Sequence, residues 1–258
     1  MTTTRTFGDV PIRVAAERDA ADDLLWHALD RAVPTTYRLV NAYTLAVASR
    51  DTAYERVLLG PGTNLPDGLP LAKVLAWTNR DVRVGRVRGP SLFEDCLDRG
   101  RPLRVRHYLL GGTEETLRRL LGEIERRFPG ADIVGCESPP FRVLSDDERI
   151  AQCARIRASR AHVVWVALGT PKQDFEALRL MLDAGVTTVA VGAAFDFTAG
   201  TVRQAPEWMR RSGLEWGFRL TTEPRRLWRR YLFGNARFIQ LAISHVWRAR
   251  IRANRASP

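Results

Sequence analysis

The sequence predicts an α/β protein: a Rossmann-like parallel sheet flanked by helices, carrying a basic helical C-terminal appendage. Two observations predict it. Residues 103–200 alternate short apolar runs with amphipathic stretches, the β-α-β order that builds a parallel sheet covered by helices. Beyond residue 200 the texture changes, because 201–258 hold thirteen arginines against Glu207, Glu215 and Glu223, a net +10 of the chain's +11. The first 200 residues are almost neutral, with 27 basic and 26 acidic side chains. A near-neutral body with a strongly cationic tail seeks phosphate, whether in nucleic acid, lipid headgroups or a diphosphate substrate.

Taken in order, Tyr37–Val40 reads as a strand and Tyr43–Leu58 as a helix. A turn-rich stretch from Gly60 to Gly68 follows, then a third helical segment. Arg104–Leu110 reads as a strand ending in Gly111-Gly112. Glu114–Phe128 places Leu117, Leu120, Leu121, Ile124 and Phe128 on one helical face. Ala131–Val134 is a short strand. Asp146–Ser159 is a helix opening behind Ser145 as N-cap. Val163–Leu168 is a continuous apolar run of buried-strand type. Gly169-Thr170-Pro171 turns into a helix through Ala184, and Thr187–Val191 makes another strand. In such sheets ligands bind at the carboxyl ends of the strands, where Gly111, Gly112, Gly135, Gly169 and Gly192 fall. Arg225–Arg255 is helix-compatible and interleaves arginine with Trp228, Tyr231, Phe238, Ile239, Ile243 and Trp247. That is the composition of an interfacial membrane helix, and equally of a terminal helix docked on the core with a solvated basic face.

With 258 residues, 45% of them hydrophobic, the chain can bury a real core. Cys96, Cys136 and Cys153 are odd in number and lack a CxxC pair, which suits a reducing compartment. The first fourteen residues lack a signal-peptide pattern. No apolar run approaches the roughly 20 residues that span a bilayer. The expectation is a protein that is soluble or held to a membrane from one side.

Four stretches carry candidate chemistry. Gly169-Thr170-Pro171-Lys172-Gln173-Asp174 opens a helix, with Pro171 at its first position, and offers helix-end amides and the Lys172 charge to an anion. Taken alone it is also an ordinary sheet-to-helix turn, and GxxxxGK[ST] is absent. Leu65-Pro66-Asp67-Gly68 can hold a carboxylate rigidly as a general base, although most Asp-Gly pairs are simply turns. Gly192 to Gly200 places Asp196 between Phe195 and Phe197, able to accept from a ribose hydroxyl or nucleobase, or merely packed in a tight turn. Arg203 to Tyr231 clusters guanidinium groups suited to phosphate oxygens, or to RNA.

Together these stretches resemble the WecG/TagA/CpsF family of glycosyltransferases, from about Asn41 to Tyr231. The residues that carry the likeness are Asn41, Asp67-Gly68, Tyr108 to Gly112, Gly169 to Asp174, Phe195 to Gly200, Arg203 to Pro206 and Gly213 to Leu227. The resemblance implies an inverting transferase moving a hexose or N-acetylhexosamine from a UDP-sugar to a polyprenyl-diphosphate-linked sugar. It assigns the catalytic base to Asp67, with Asn41 beside it. It places diphosphate-holding arginines at Arg219, Arg226 and Arg229 of an appendage that attaches to an anionic membrane surface. Departures from the family pattern are Leu39 in place of Thr, Leu69-Pro70 after the Asp-Gly turn, Asp174 for Glu, and Gln204 inserted in the Arg-Ala-Pro run. The domains read as an α/β catalytic body over 1–200, with an acceptor-and-base half at 1–102 and a nucleotide-binding half at 103–200. Residues 201–258 form the basic membrane-associating appendage. No cofactor is expected, and without a DxD-type site arginine replaces metal at the diphosphate. The expected location is cytoplasmic, peripheral on the inner face of the cell membrane. Two alternatives remain at this stage. One is a non-catalytic family member that binds nucleotide-sugar or lipid. The other is a basic nucleic-acid-binding protein, though no RRM, KH, zinc-finger or helix-turn-helix signature appears, so no specific nucleic acid is expected.

Overall fold

The computed structural model describes residues 3–256 apart from Arg31, Arg80 and Arg83. Within the helices it describes all side chains but those of Arg211, Arg226, Arg229, Arg230, Tyr231 and residues 252–256. The chain opens with an antiparallel hairpin, β1 (Thr3–Phe7) and β2 (Val10–Val14), then α1 (Glu17–Leu29), β3 (Thr36–Val40), α2 (Ala42–Ala48), α3 (Thr52–Leu59) and β4 (Thr63–Pro66). Next come α4 (Leu69–Thr78), α5 (Gly89–Gly100), β5 (Arg106–Gly111), α6 (Glu114–Arg127), β6 (Asp132–Glu137) and α7 (Asp146–Ala158). β7 (Val163–Ala167), α8 (Lys172–Ala184), β8 (Thr187–Ala190) and the short α9 (Ala194–Thr198) complete the body. α10 (Glu207–Ser212), α11 (Glu215–Thr222) and α12 (Pro224–Ala256) follow.

The α/β expectation holds: a six-stranded parallel sheet has the order β4-β3-β8-β7-β5-β6, with helices on both faces. Strand side chains alternate between the faces. Tyr37, Leu39, Leu109, Val163, Trp165 and Val189 pack under α1, α5, α6 and α9. Tyr108, Leu110, Val164, Val166 and Ala190 pack under α7 and α8. Trp165 is the largest fully buried side chain; it meets Phe93 edge-on at 5.0 Å and gives its indole N–H to His107 Nδ1 at 3.0 Å. Burial of an aromatic of this size accounts for about 150–250 Å² of core. Ser145 caps α7 as expected, in a full capping box with Glu148.

Two sequence readings are corrected in the first hundred residues. The single helix expected over Tyr43–Leu58 is two, because Asp51 takes two amides at its side chain and starts α3 afresh. The turn-rich stretch contains strand β4, whose Pro66 is tolerated because β4 lies on the sheet edge. Asn64 on that strand is buried; it donates to the carbonyls of Pro11 and Leu58 and accepts from buried Arg38, satisfying groups the bare turn reading leaves unexplained.

The tail holds α10, α11 and a last, long helix, α12, which is seated on the body. Phe238 is buried and stacks on Phe7 at 5.6 Å; His245 stacks on the same ring at 4.7 Å; Arg237 Nε donates to Ser49 Oγ at 2.9 Å. The outward face of α12 keeps Leu232, Phe233, Ile243 and Trp247 exposed. Among the described residues no helix is long and apolar enough to cross a membrane.

Candidate active site

The carboxyl ends of β3, β4, β5, β7 and β8 open onto one cleft of about 950 Å³. Asn41 and Asp67 sit side by side on its wall because β3 and β4 are adjacent and in register, Val40 opposite Pro66. The Asp67 amide donates to the Val40 carbonyl at 2.7 Å, which locks the base of the turn to the sheet. Gly68 follows at φ 86, in the left-handed region that a side chain disfavours, and sends the chain straight into α4.

Asn41 works in two directions. Its Oδ1 accepts from the amides of Tyr43 and Thr44 at 3.0 and 3.1 Å, capping α2, and its Nδ2 donates to Asp67 Oδ2 at 3.4 Å. The cap fixes the amide's orientation, and the amide in turn fixes the carboxylate. Burial raises the Asp67 pKa above the ordinary carboxylate value; nearby Arg86 opposes that rise and Glu215 reinforces it. A carboxylate made more basic in this way, aimed into a cleft, is suited to taking a proton from a hydroxyl.

The far wall belongs to the tail. Gly213, Glu215, Trp216 and Arg219 of the α10–α11 region, with Asn235, Phe238 and Ile239 of α12, complete the cleft. Glu215 joins tail to body, accepting from Arg86 Nη2 at 2.6 Å and from Arg88 Nη2 at 3.0 Å. The Arg219 guanidinium lies 5.3 Å above the Phe197 ring and 3.7 Å from Glu223. Lys172, exposed at the start of α8, adds a further cation to the rim beside Arg86 and Arg219. Among the described residues no three His, Cys, Asp or Glu side chains gather into a group that could hold a metal ion.

The Glycosyl transferase WecG/TagA/CpsF family profile matches residues 5–253, nearly the whole chain. The chain belongs to this family. It is 32% identical over 187 residues to an N-acetylglucosaminyldiphosphoundecaprenol N-acetyl-beta-D-mannosaminyltransferase of Bacillus spizizenii, covering 72% of this chain and 70% of that protein. A protein of the same description from Bacillus subtilis is 27% identical over 231 residues, covering 89% of this chain and 87% of its own.

In this WecG/TagA/CpsF member the cleft gathers most of the residues expected from sequence. Asn41, Asp67, Gly112, Gly169, Lys172, Gln173, Asp196 and Arg219 all line it. Gly111 does not reach the lining but is needed behind it: at φ 121, an added Cβ would stand 2.4 Å from the Ala167 carbonyl oxygen, so only glycine lets β5 and β7 end this close together. Pro171 is the N-cap of α8 rather than its first helical residue, and it stands just outside the lining. The amide of Gly169 is not open to an anion. It donates to Gln173 Oε1 at 3.2 Å, and the Gly192 amide donates to the same oxygen at 3.0 Å. Gln173 is therefore a tie between the loops after β7 and β8. Asp174 is buried away from the cleft, accepting from Tyr54 Oη at 2.6 Å. Arg203 is exposed and outside the lining. The side chains of Arg226 and Arg229 lie outside the described residues. Sequence reasoning missed Arg86, Arg88 and Glu215; the available signal was Glu215 itself, one of only three acidic residues in 201–258.

Proposed function

We propose that this WecG/TagA/CpsF glycosyltransferase moves a hexose or N-acetylhexosamine, with inversion, from a UDP-sugar to a polyprenyl-diphosphate-linked sugar. The observation that carries the reading is the Asn41–Asp67 pair on the wall of a 950 Å³ cleft that also holds Arg86, Lys172 and Arg219. The relatives' names, which specify an undecaprenyl-diphosphate acceptor, support the acceptor class. In this scheme Asp67 removes the proton from an acceptor hydroxyl, whose oxygen bonds to the sugar's anomeric carbon from the face opposite UDP. The anomeric C–O bond to UDP breaks, and its electron pair leaves with the diphosphate. Cations placed before the reaction stabilise that developing charge without needing to reorganise. Arg219 and Lys172 are the described side chains best placed for it, and no metal is required.

Acceptor chemistry also accounts for the tail. The lipid end of such an acceptor stays in a bilayer, so the enzyme must work at the surface. The apolar outward face of α12, flanked by arginines, suits peripheral attachment to the cytoplasmic, anionic face of the membrane. The reading is tested by incubating the full chain with a panel of UDP-sugars and a short-chain polyprenyl-diphosphate-sugar, with EDTA present, and weighing the products. A product heavier by one sugar, lost about 10²–10⁴-fold in Asp67→Asn, is expected. Absence of transfer from every UDP-sugar, or transfer unaffected by Asp67→Asn, overturns the proposal. Transfer abolished by EDTA and restored by Mg²⁺ overturns its metal-free part.

A further inference from the structure

The clamp between tail and body has a geometry that bears on the base. Arg86 and Arg88 flank Val87, whose amide donates to the Pro66 carbonyl at 2.8 Å, one residue before Asp67. Their segment is thus held against the end of β4. Residues two apart on an extended segment point to the same side, and there Glu215 stands in the first turn of α11, where the helix dipole favours a carboxylate. Arg86 spends both terminal nitrogens on the tail, Nη2 on Glu215 and Nη1 on the Arg210 carbonyl at 2.9 Å. All three charged side chains are largely buried, 17% exposed for Arg86, 11% for Arg88 and 19% for Glu215. Asp67 lies beside this clamp, yet among the described residues its one side-chain partner is Asn41.

We infer that Glu215 is a positioning residue that holds Arg86 off Asp67, so that seating the tail frees the base and unseating it lets Arg86 pair with the base and silence it. This inference rests on the assignment of Asp67 as base in the proposed reaction. A guanidinium left without Glu215 in a partly buried place needs another carboxylate; Glu17 also feels Arg86 and Arg88, and Asp67, lining the same cleft as Arg86, is the one whose pairing would reach the base. An Asp67 paired with Arg86 is both less basic and sterically engaged. The carboxylate then cannot accept the acceptor's proton. The groups acting on Asp67 are Arg86 and Arg88 from the segment after α4, Glu215 from α11 and the Asn41 amide from the end of β3. The first two and Asn41 favour its charged form; Glu215 opposes it.

The experiment follows the ¹³C carboxyl resonance of Asp67 through a pH titration of the full chain labelled at aspartate, assigned by its absence in Asp67→Asn. Glu215→Gln should lower the Asp67 midpoint by about 1 pH unit or more, the usual effect of a close guanidinium. Arg86→Gln combined with Glu215→Gln should raise the midpoint above that of Glu215→Gln alone, because the released Arg86 guanidinium is then gone while Arg88 remains. In the transfer assay the acid limb of kcat/KM should follow the same order. Should Glu215→Gln fail to fold, Glu215→Asp keeps the charge but shortens the reach to Arg86, and its midpoint should also fall. A midpoint unmoved in either single variant, or no higher in the double variant than in Glu215→Gln alone, overturns the inference. Because the titration needs no turnover, it reads the switch even if no transferase activity is found.

Discussion

Asn41 offers a test in which stability and chemistry separate. Asn41→Ala removes the Oδ1 that accepts from the Tyr43 and Thr44 amides at 3.0 and 3.1 Å, and loss of such a cap costs about 1 kcal/mol. For a chain of this size that is a fall in Tm of about 2–4 °C. Asn41→Asp keeps an oxygen acceptor at the cap, so it should unfold close to the parent temperature at a pH low enough for the two neighbouring carboxyls to share one proton. Its effect falls on the base instead. It sets a second carboxylate where an amide now donates to Asp67 at 3.4 Å, and two carboxylates that close titrate as a pair with one pKa pushed up. A base acts in its deprotonated form, so raising its pKa moves the acid limb of kcat/KM to higher pH. Thermal unfolding by circular dichroism and a pH–rate profile for both variants supply the measurements. If Asn41→Ala is no less stable than Asn41→Asp, or if Asn41→Asp keeps the parent pH profile, the double role assigned to Asn41 is wrong.

Two further outcomes are expected. Burial holds the Asp174 carboxyl up to about 6, above the ~3.9 of an unfolded chain, so the native state binds that proton more tightly and loses stability as pH rises through this window. Asp174→Asn should abolish that loss, on the order of 3 kcal/mol, seen as a Tm that falls less than the parent's between pH 4 and 7. On the tail, Ile243→Glu with Trp247→Glu alters two side chains that are each 65% exposed, so Tm should stay within a degree or so while co-sedimentation with anionic vesicles drops. Unchanged sedimentation would show that the outward face of α12 does not meet the membrane.

One central strand was legible because Val163–Leu168 is a continuous apolar run, the mark of a strand covered on both faces. β4 was not, because an edge strand of Thr63, Asn64, Leu65 and Pro66 reads as turn chemistry, and its buried Asn64 is satisfied by Leu58 nearby and by Arg38 and Pro11, which are distant in sequence. The hairpin β1–β2 left a weaker trace, Gly8-Asp9 between alternating residues, which its five paired positions explain afterwards. Within the site, Asp67 and Asn41 were singled out by the resemblance to the family, since Asp67-Gly68 alone reads as a turn, and the sheet sets the two side by side. The clamp of Glu215 on Arg86 and Arg88 was not legible, since its partners are 129 and 127 residues apart and each is an ordinary charge in its own neighbourhood. Arg203 shows the converse, a basic residue in a suggestive run that the fold leaves outside the cleft.

The strand order also dictates a timetable. β8 lies between β3 and β7, yet it is the last strand to be synthesised. Until residue 190 has left the ribosome, β3–β4 and β5–β6–β7 have no common sheet, and each keeps an open apolar edge where β8 will enter. Pairing of β3 with β8 closes a loop of about 150 residues, a non-local contact that forms slowly and late. Nascent chains are thus most exposed to edge-to-edge association while the sequence between β4 and β8 is being made. The insertion that ends this vulnerable interval is the same one that brings the loops after β3, β7 and β8 together, so completion of the sheet and assembly of the cleft floor are a single event.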